Sequence, residues 1–398
     1  MPLARPGPGE AQPARVAFYN DPKLRGLFYQ IALFAVVLWL GYEFVINARD
    51  NLRAAKIATG FGFLDNTAGF SINQTLIPYT ESDTYGRVFV VGLLNTLLVA
   101  AIGIVLATLL GFVVGISRLS SNWLLQRLAG GYVELIRNLP LLFQILFWYL
   151  AVLGTLPGPR QSISIFGEVF ISNRGLIIPR PLLGDGFEWV FAAFVAGILA
   201  GIGIKVWARR RQEATGQQFP VLWTTAGLIL GLTLIALVAT GFPISFEKPV
   251  LRGFNFAGGV RVIPEFVALL VALVTYTAAF IAEIVRAGIL AVSHGQTEAA
   301  YSLGLRPGPT LRLVVIPQAM RVIIPPLTSQ YLNLTKNSSL AVGIGYPDLF
   351  AVFAGTALNQ TGQAIEIIAI TMAVYLAISL VTSLLMNWYN ARIKLVER

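Results

Sequence analysis

Apolar residues in this chain come in long runs with little polar interruption. Eight runs stand out, at about Leu27–Ile46, Val88–Ile116, Leu141–Leu156, Trp189–Trp207, Val221–Thr240, Phe266–Ile284, Ile323–Ile344 and Ala364–Trp388. A helix needs about 18 apolar residues or more to cross hydrocarbon, and most of these runs have them. Barrel strands would be about ten residues long and would alternate apolar with polar positions, which these do not. In lipid each backbone N–H and C=O must find its partner within the segment, so the runs are expected to be helices. The expected fold is an all-α membrane protein with about eight transmembrane helices. The third run is short and follows an amphipathic stretch, Asn122 to Arg137. That stretch ends at Asn138-Leu139-Pro140, where proline stops one helix and lets another begin.

The same pattern divides the chain. Residues 1–26 are a Pro-rich, polar tail. Residues 27–87 hold the first helix and a long polar loop from Ala48 to Arg87. The loop is long enough to hold structure of its own. Residues 88–388 form the main transmembrane body, with a helix pair inserted at about 189–240 and a polar connection at 287–322. Residues 389–398 are a second tail. The first run is too long for a signal-peptide core and lacks a small-residue cleavage site, so it reads as a retained helix.

Composition sharpens the class. Of 398 residues, 56% are hydrophobic and 12% charged, whereas a soluble domain carries about 25% charged residues. There is no cysteine, which removes disulfides, thiolate nucleophiles and cysteine metal sites. The single histidine, His294, cannot build a histidine-rich metal site and reads as a solvated loop residue. The net charge of +10 is spread over helix ends and not gathered into a patch, so it argues for membrane orientation and not for nucleic acid. Arg209-Arg210-Arg211 lies in the shortest loop and belongs on the inner side. Eight crossings from an inner N-terminus then return Arg392, Lys394 and Arg398 to that side. No phosphate-binding loop is present; Gly201-Ile202-Gly203-Ile204-Lys205 is a loose echo within a span.

The polar connection between Arg286 and Arg321 is longer than a turn requires. It reads Glu298-Ala299-Ala300-Tyr301-Ser302-Leu303-Gly304 and then Val314-Val315-Ile316-Pro317. Small Ala299 and Ala300 allow close approach of another backbone, and Gly304 permits a sharp turn. Glu298 is read as an acid at a helix start, where the helix dipole favours it. The spacing of Glu-Ala-Ala, Gly and aliphatic-Pro resembles the signature loop of importer-type ABC transporter permeases, with Ile316 in place of the usual leucine. Gly92-Leu93-Leu94-Asn95-Thr96-Leu97, Tyr132 to Pro140, Ala282 to Ile289 and Asn333 to Leu340 resemble the polar amino-acid branch of that family. The extra first helix and the inserted pair are similar to the long permease chain of general L-amino-acid importers. The resemblance covers about residue 15 to the C-terminus.

The resemblance implies a type I importer bundle within the eight helices. It also implies a permease subunit of the bacterial inner membrane, carrying broad or polar L-amino acids by alternating access. The expected partners are a second permease chain, a dimer of ATPase subunits and a periplasmic amino-acid-binding protein, with the lipid bilayer around them and no nucleic acid. The chain itself would be no enzyme and hold no cofactor, because ATP and Mg would sit in the ATPase. Glu298, Ala299, Ala300, Gly304, Ile316 and Pro317 would form the coupling loop. An ion-coupled secondary transporter is the alternative, but the span interiors are nearly free of acids, with Glu283 and Glu366 near span ends.

Other residues carry expectations of their own. Glu134 with Arg137, and Glu283 with Arg286, are spaced i, i+3 and are read as structural ion pairs. Lys336 lies in an otherwise apolar run with Asn333, Ser338 and Ser339 nearby. It is open to three roles: meeting a substrate carboxylate, pairing with a buried acid, or snorkelling to an interface. Asn95 and Gln144 are weaker candidates for the same pathway. Gly111-x-x-x-Gly115, Gly197-x-x-x-Gly201 and Gly227-x-x-x-Gly231 are read as helix-packing sites.

Overall fold

A computed structural model describes residues 22–54 and 59–393. Most of the expected N-terminal tail, and Lys394 and Arg398, lie outside the described residues. The helices are α1 (Pro22–Ala54), α2 (Tyr85–Ser117), α3 (Trp123–Arg137), α4 (Leu141–Leu146), α5 (Phe187–Thr215), α6 (Val221–Ala239), α7 (Pro264–Leu290), α8 (His294–Ser302), α9 (Pro307–Thr310), α10 (Ile316–Asn337), α11 (Leu358–Thr361) and α12 (Ala364–Ile393). Among the described residues seven helices are long and apolar enough to cross a membrane. The count reaches eight if the bent pair of α3 with α4 and its π-helical extension to Leu153 is one span.

The bend between those two pieces is 107°. Pro140 follows the end of α3 and has no N–H to continue it. Gln144 then caps the break, its side-chain amide donating to the carbonyls of Ile136 and Leu139 at 3.0 Å each. The Ile136 carbonyl also accepts from the backbone N–H groups of Asn138 and Leu139, so Gln144 reinforces a helix end that the backbone has already closed.

The centre of the bundle is α2, α7 and α10. Val99 and Ala107 of α2, Leu269, Leu273, Ile281 and Val285 of α7, and Ile323, Leu327 and Leu334 of α10 form one buried cluster. Glycines set how closely these helices lie. A Cβ built on Gly115 would sit 2.7 Å from the Ala282 carbonyl oxygen, and one on Gly111 would sit 2.6 Å from Ile281. Gly197 and Gly201 similarly seat α5 against Ile229 and Thr225 of α6. Gly227 and Gly231 do not follow the expectation, because both face open space with nothing within 4 Å. A small-xxx-small spacing permits close approach without requiring a neighbour. The apolar window of α1 buries none of its residues against the rest of the chain, and that of α6 likewise buries none.

Two loop regions hold structure that the run pattern did not predict in detail. Between α1 and α2 a 3-10 turn at Phe61–Asp65 buries Phe63 beside Tyr85, Leu349 and Phe353. Eight short strands flank the α5–α6 pair: β1 (Ile163–Ile165), β2 (Val169–Ser172), β3 (Gly175–Ile178), β4 (Arg180–Leu183), β5 (Ile244–Glu247), β6 (Val250–Arg252), β7 (Asn255–Ala257) and β8 (Val260–Val262). β1-β2-β3-β8 form one antiparallel sheet, with Leu176 opposite Val262. That pairing ties the start of the insert to its end, immediately before α7. Among the described residues the membrane part is all-helical, and the strands are confined to this appendage.

Candidate functional site

The connection between α7 and α10 is built around α8. Ser293 precedes it in an extended conformation, and Leu303 follows it. Gly304 takes φ +78°, the left-handed region that side chains disfavour. Its N–H donates to the Tyr301 carbonyl at 2.9 Å, and the Leu305 N–H donates to the Ala300 carbonyl at 3.1 Å. This is a helix stop closed by a left-handed glycine. Nothing lies within 4 Å of a Cβ built on Gly304, so backbone conformation and not close packing calls for glycine here.

The remaining loop residues divide into an inner and an outer face. Ala300 is buried, while Glu298, Ala299, Tyr301 and Leu303 are exposed, Leu303 to 83%. The helix begins at His294, so Glu298 is its fifth residue and not an acid of the first turn. Its carboxylate lies 3.5 Å from the His294 ring across one helical turn. The dipole argument for Glu298 therefore fails, and what remains is an exposed charge on the outer face. Ile316 and Pro317 begin the α-helical register of α10, and Pro317 has no N–H to donate to the turn before it. A π-helical stretch, Leu311–Val315, runs into α10 without a break. The Gln318 amide donates to Gln296 at 3.2 Å, which ties α8 to the first turn of α10.

At the far end of α10 lies the second candidate region. Lys336 and Ser339 border a cavity of about 380 Å³ with Phe350 and with Thr371, Tyr375 and Ser379 of α12. Asn333 is exposed one turn earlier. Ser338 is buried and donates to the Thr335 carbonyl at 2.8 Å. Asn95 and Gln144 lie elsewhere. The Asn95 amide donates to the carbonyls of Gln74 and Pro347 at 2.9 and 2.8 Å, and Gln144 caps α3. The structure thus brings Lys336 and Ser339 together and engages Asn95 and Gln144 in the backbone.

Only one of the two expected ion pairs forms. Glu283 binds Arg286 at 2.6 Å and also Arg118 at the end of α2. Glu134 and Arg137 are not paired among the described residues. Arg137 lies over the Phe280 ring, 5.0 Å from its centroid, and Glu134 borders a polar cavity with Arg118 and Arg286. Spacing brought the two side chains near one face, but α7 offered Arg137 an aromatic partner.

Asp348 is a residue that the run pattern missed. It is fully buried in the connector at 345–349, outside the candidate spans. Its carboxylate accepts from the Ala351 N–H at 2.8 Å and from the Tyr375 hydroxyl at 3.3 Å, and no cation pairs with it among the described residues. Burial raises its pKa to about 7, against the lowering effect of the Ala351 N–H. The signal in sequence was slight: one acid within the otherwise uncharged stretch from Asn337 to Ile365. Tyr375 links it to the cavity that Lys336 borders.

Known proteins resemble this chain over nearly all its length. Residues 193–395 match the family described as binding-protein-dependent transport system inner membrane component. The putative amino-acid ABC transporter permease protein YhdX of Escherichia coli is 57% identical over 381 residues, covering 96% of this chain and 97% of that one. The general L-amino acid transport system permease protein AapQ of Rhizobium johnstonii is 53% identical, covering 96% of each chain. The glutamate/glutamine/aspartate/asparagine transport system permease protein BztB of Rhodobacter capsulatus is 44% identical, covering 95% of this chain and 96% of that one.

Proposed function

The chain belongs to the family of binding-protein-dependent transport system inner membrane components, and from that membership we propose that it is the permease subunit of an ATP-driven importer of amino acids. It is a multi-pass transport component and not an enzyme. The names of its relatives support amino acids as the substrate class, and their specificities favour a broad or polar range. The partners in this reading are a second permease chain, an ATPase pair that holds ATP and Mg, and a periplasmic amino-acid-binding protein. Both termini are cytoplasmic in this reading. The ion-coupled alternative is not favoured, since the family is binding-protein-dependent.

The observation that carries the mechanism is the α8–Gly304–α10 connection. Its outer face presents Glu298, Ala299, Tyr301 and Leu303 to a docking ATPase. Its two ends join α7 and α10, which pack where Gly288 meets Ile323. A displacement of α8 therefore passes to both helices together. Lys336 lies twenty residues beyond Ile316 on α10, about 30 Å at 1.5 Å per residue. A tilt started at the loop thus reaches the cavity beside α12 as a change in its width. That is what alternating access requires of an element that joins two sites and moves with its packed neighbour. Lys336 would meet the substrate carboxylate there, with Asn333 and the serines at 338 and 339 nearby.

The test is co-purification of the chain with the ATPase and partner permease, followed by uptake driven by the loaded binding protein in proteoliposomes. ATP-dependent amino-acid uptake is expected. Uptake that persists without ATPase and collapses with the ion gradient would refute the reading.

A further inference from the structure

A polar cavity of about 470 Å³ lies at the end of the bundle where α7 meets the α8 connection. Its charged walls are Arg118, which follows α2, Arg127 and Glu134 of α3, and Arg286 of α7. Gln126 adds an amide, and the floor is Gly130-Gly131, where a Cβ at either position would meet nothing within 4 Å. The amino-acid pathway needs none of this, because Lys336 and its cavity lie toward the other end of α10.

Three guanidinium groups border one space, and the acids near them do not balance them. Glu283 is shared by Arg118 and Arg286. Arg127 forms no ion pair among the described residues. Counting Glu134 and Glu283 against three arginines leaves one positive charge in excess. Guanidinium forks bind phosphate oxygens in pairs, and the weak hydration of Arg lowers the cost of doing so.

α3 explains why the cavity sits there. Ala129, Tyr132, Val133 and Ile136 face α7. Gln126, Arg127, Gly130, Gly131 and Glu134 recur at helical spacing and face the cavity. Leu124, Leu128 and Leu135 form a third face, exposed and apolar. An apolar strip beside a basic cavity at a helix end matches a molecule with an anionic head and hydrocarbon tails.

We propose that this cavity binds a phosphate group at the membrane boundary through Arg118, Arg127 and Arg286, with the Gly130-Gly131 floor leaving room for it. Inorganic phosphate and a phospholipid headgroup share this chemistry, and the apolar strip of α3 favours the lipid. The site is independent of which solute the chain carries.

The test uses the full chain in a non-ionic detergent, stripped of lipid and titrated with inorganic phosphate or with phosphatidylglycerol. Thermal midpoint and native mass spectrometry read binding. Arg127→Gln removes one charge-assisted contact and should weaken binding about tenfold. Gly130→Leu keeps every charge but fills the floor, and its higher helix propensity protects the fold. It should weaken binding at least as much. Binding of lipid alone by the wild-type chain identifies a headgroup site, and binding of both probes identifies a general phosphate site. Undiminished binding in either variant, or binding of neither probe by the wild type, overturns the proposal.

Discussion

Gly304 offers the most direct test of the loop as a lever. Its φ of +78° costs a glycine nothing, while an ordinary L-residue in the left-handed region costs about 1–2 kcal/mol. No atom lies within 4 Å of the added Cβ, so clash contributes nothing and the whole effect is conformational. A cost of that size is a factor of about 5–30 in the ratio of the native turn to its alternatives. If the ATPase docks on that turn, its apparent affinity should fall by up to that factor. Asn tolerates this region best and β-branched residues worst, so the losses should rank Gly304→Asn, then Ala, then Val. Gly304→Asp should retain membrane insertion yet lose uptake, because it adds a negative charge beside a docking face that already carries Glu298. The measurements are ATPase retention on the immobilised permease and uptake in proteoliposomes. Wild-type uptake by Gly304→Val, or Asn as damaging as Val, would refute the conformational account.

Three further outcomes follow from the packing, from Lys336 and from the buried Asp348. Gly115→Val places side-chain atoms against the Ala282 carbonyl and Val285, so overpacking should cost about 1–3 kcal/mol and lower the thermal midpoint, whereas Gly227→Val, facing open space, should not. Lys336→Met should cut transport and alter substrate preference with ATPase docking intact; unchanged transport and preference would leave Lys336 a structural residue. Burial holds the Asp348 carboxyl at about 7 in the folded chain against an ordinary aspartate value of 3.8, so between those values the folded chain holds a proton that the unfolded chain releases. Its contribution to stability should therefore fall as pH rises through that window, by up to about 1.4 kcal/mol per pH unit, and level off above it. Asp348→Asn should flatten this slope in thermal melts, and an identical slope in both proteins would show that the carboxyl is not the group responsible.

What could be read from sequence divides by the range of the forces involved. Gly304 was legible because a left-handed helix stop is decided by a few adjacent residues. Lys336 stood out because a charge within an apolar run is conspicuous wherever the helix packs. Glu298 does not sit at a helix start because α8 begins at His294, and that boundary depends on the loop around it. Glu134 and Arg137 had the right spacing, yet Arg137 found the face of Phe280 on α7, a contact that no local rule supplies. The strands of the appendage are three or four residues long, too short for alternation to show, and their pairing of β3 with β8 spans the whole inserted helix hairpin. Asp348 joins both kinds of information. Its position is ordinary in sequence, but the fold buries it behind Tyr375, and Tyr375 lines the cavity that Lys336 also borders. A cation on the wall and an acid behind it therefore flank one space. α10 connects that space to the loop, and Pro325 and Pro326 lie in the helix between them. Each proline removes a backbone hydrogen bond, so α10 is least stiff between the loop that receives a push and the cavity that must respond. The coupling then depends on the lateral packing of α7 against α10, where Gly288 meets Ile323, as much as on α10 itself.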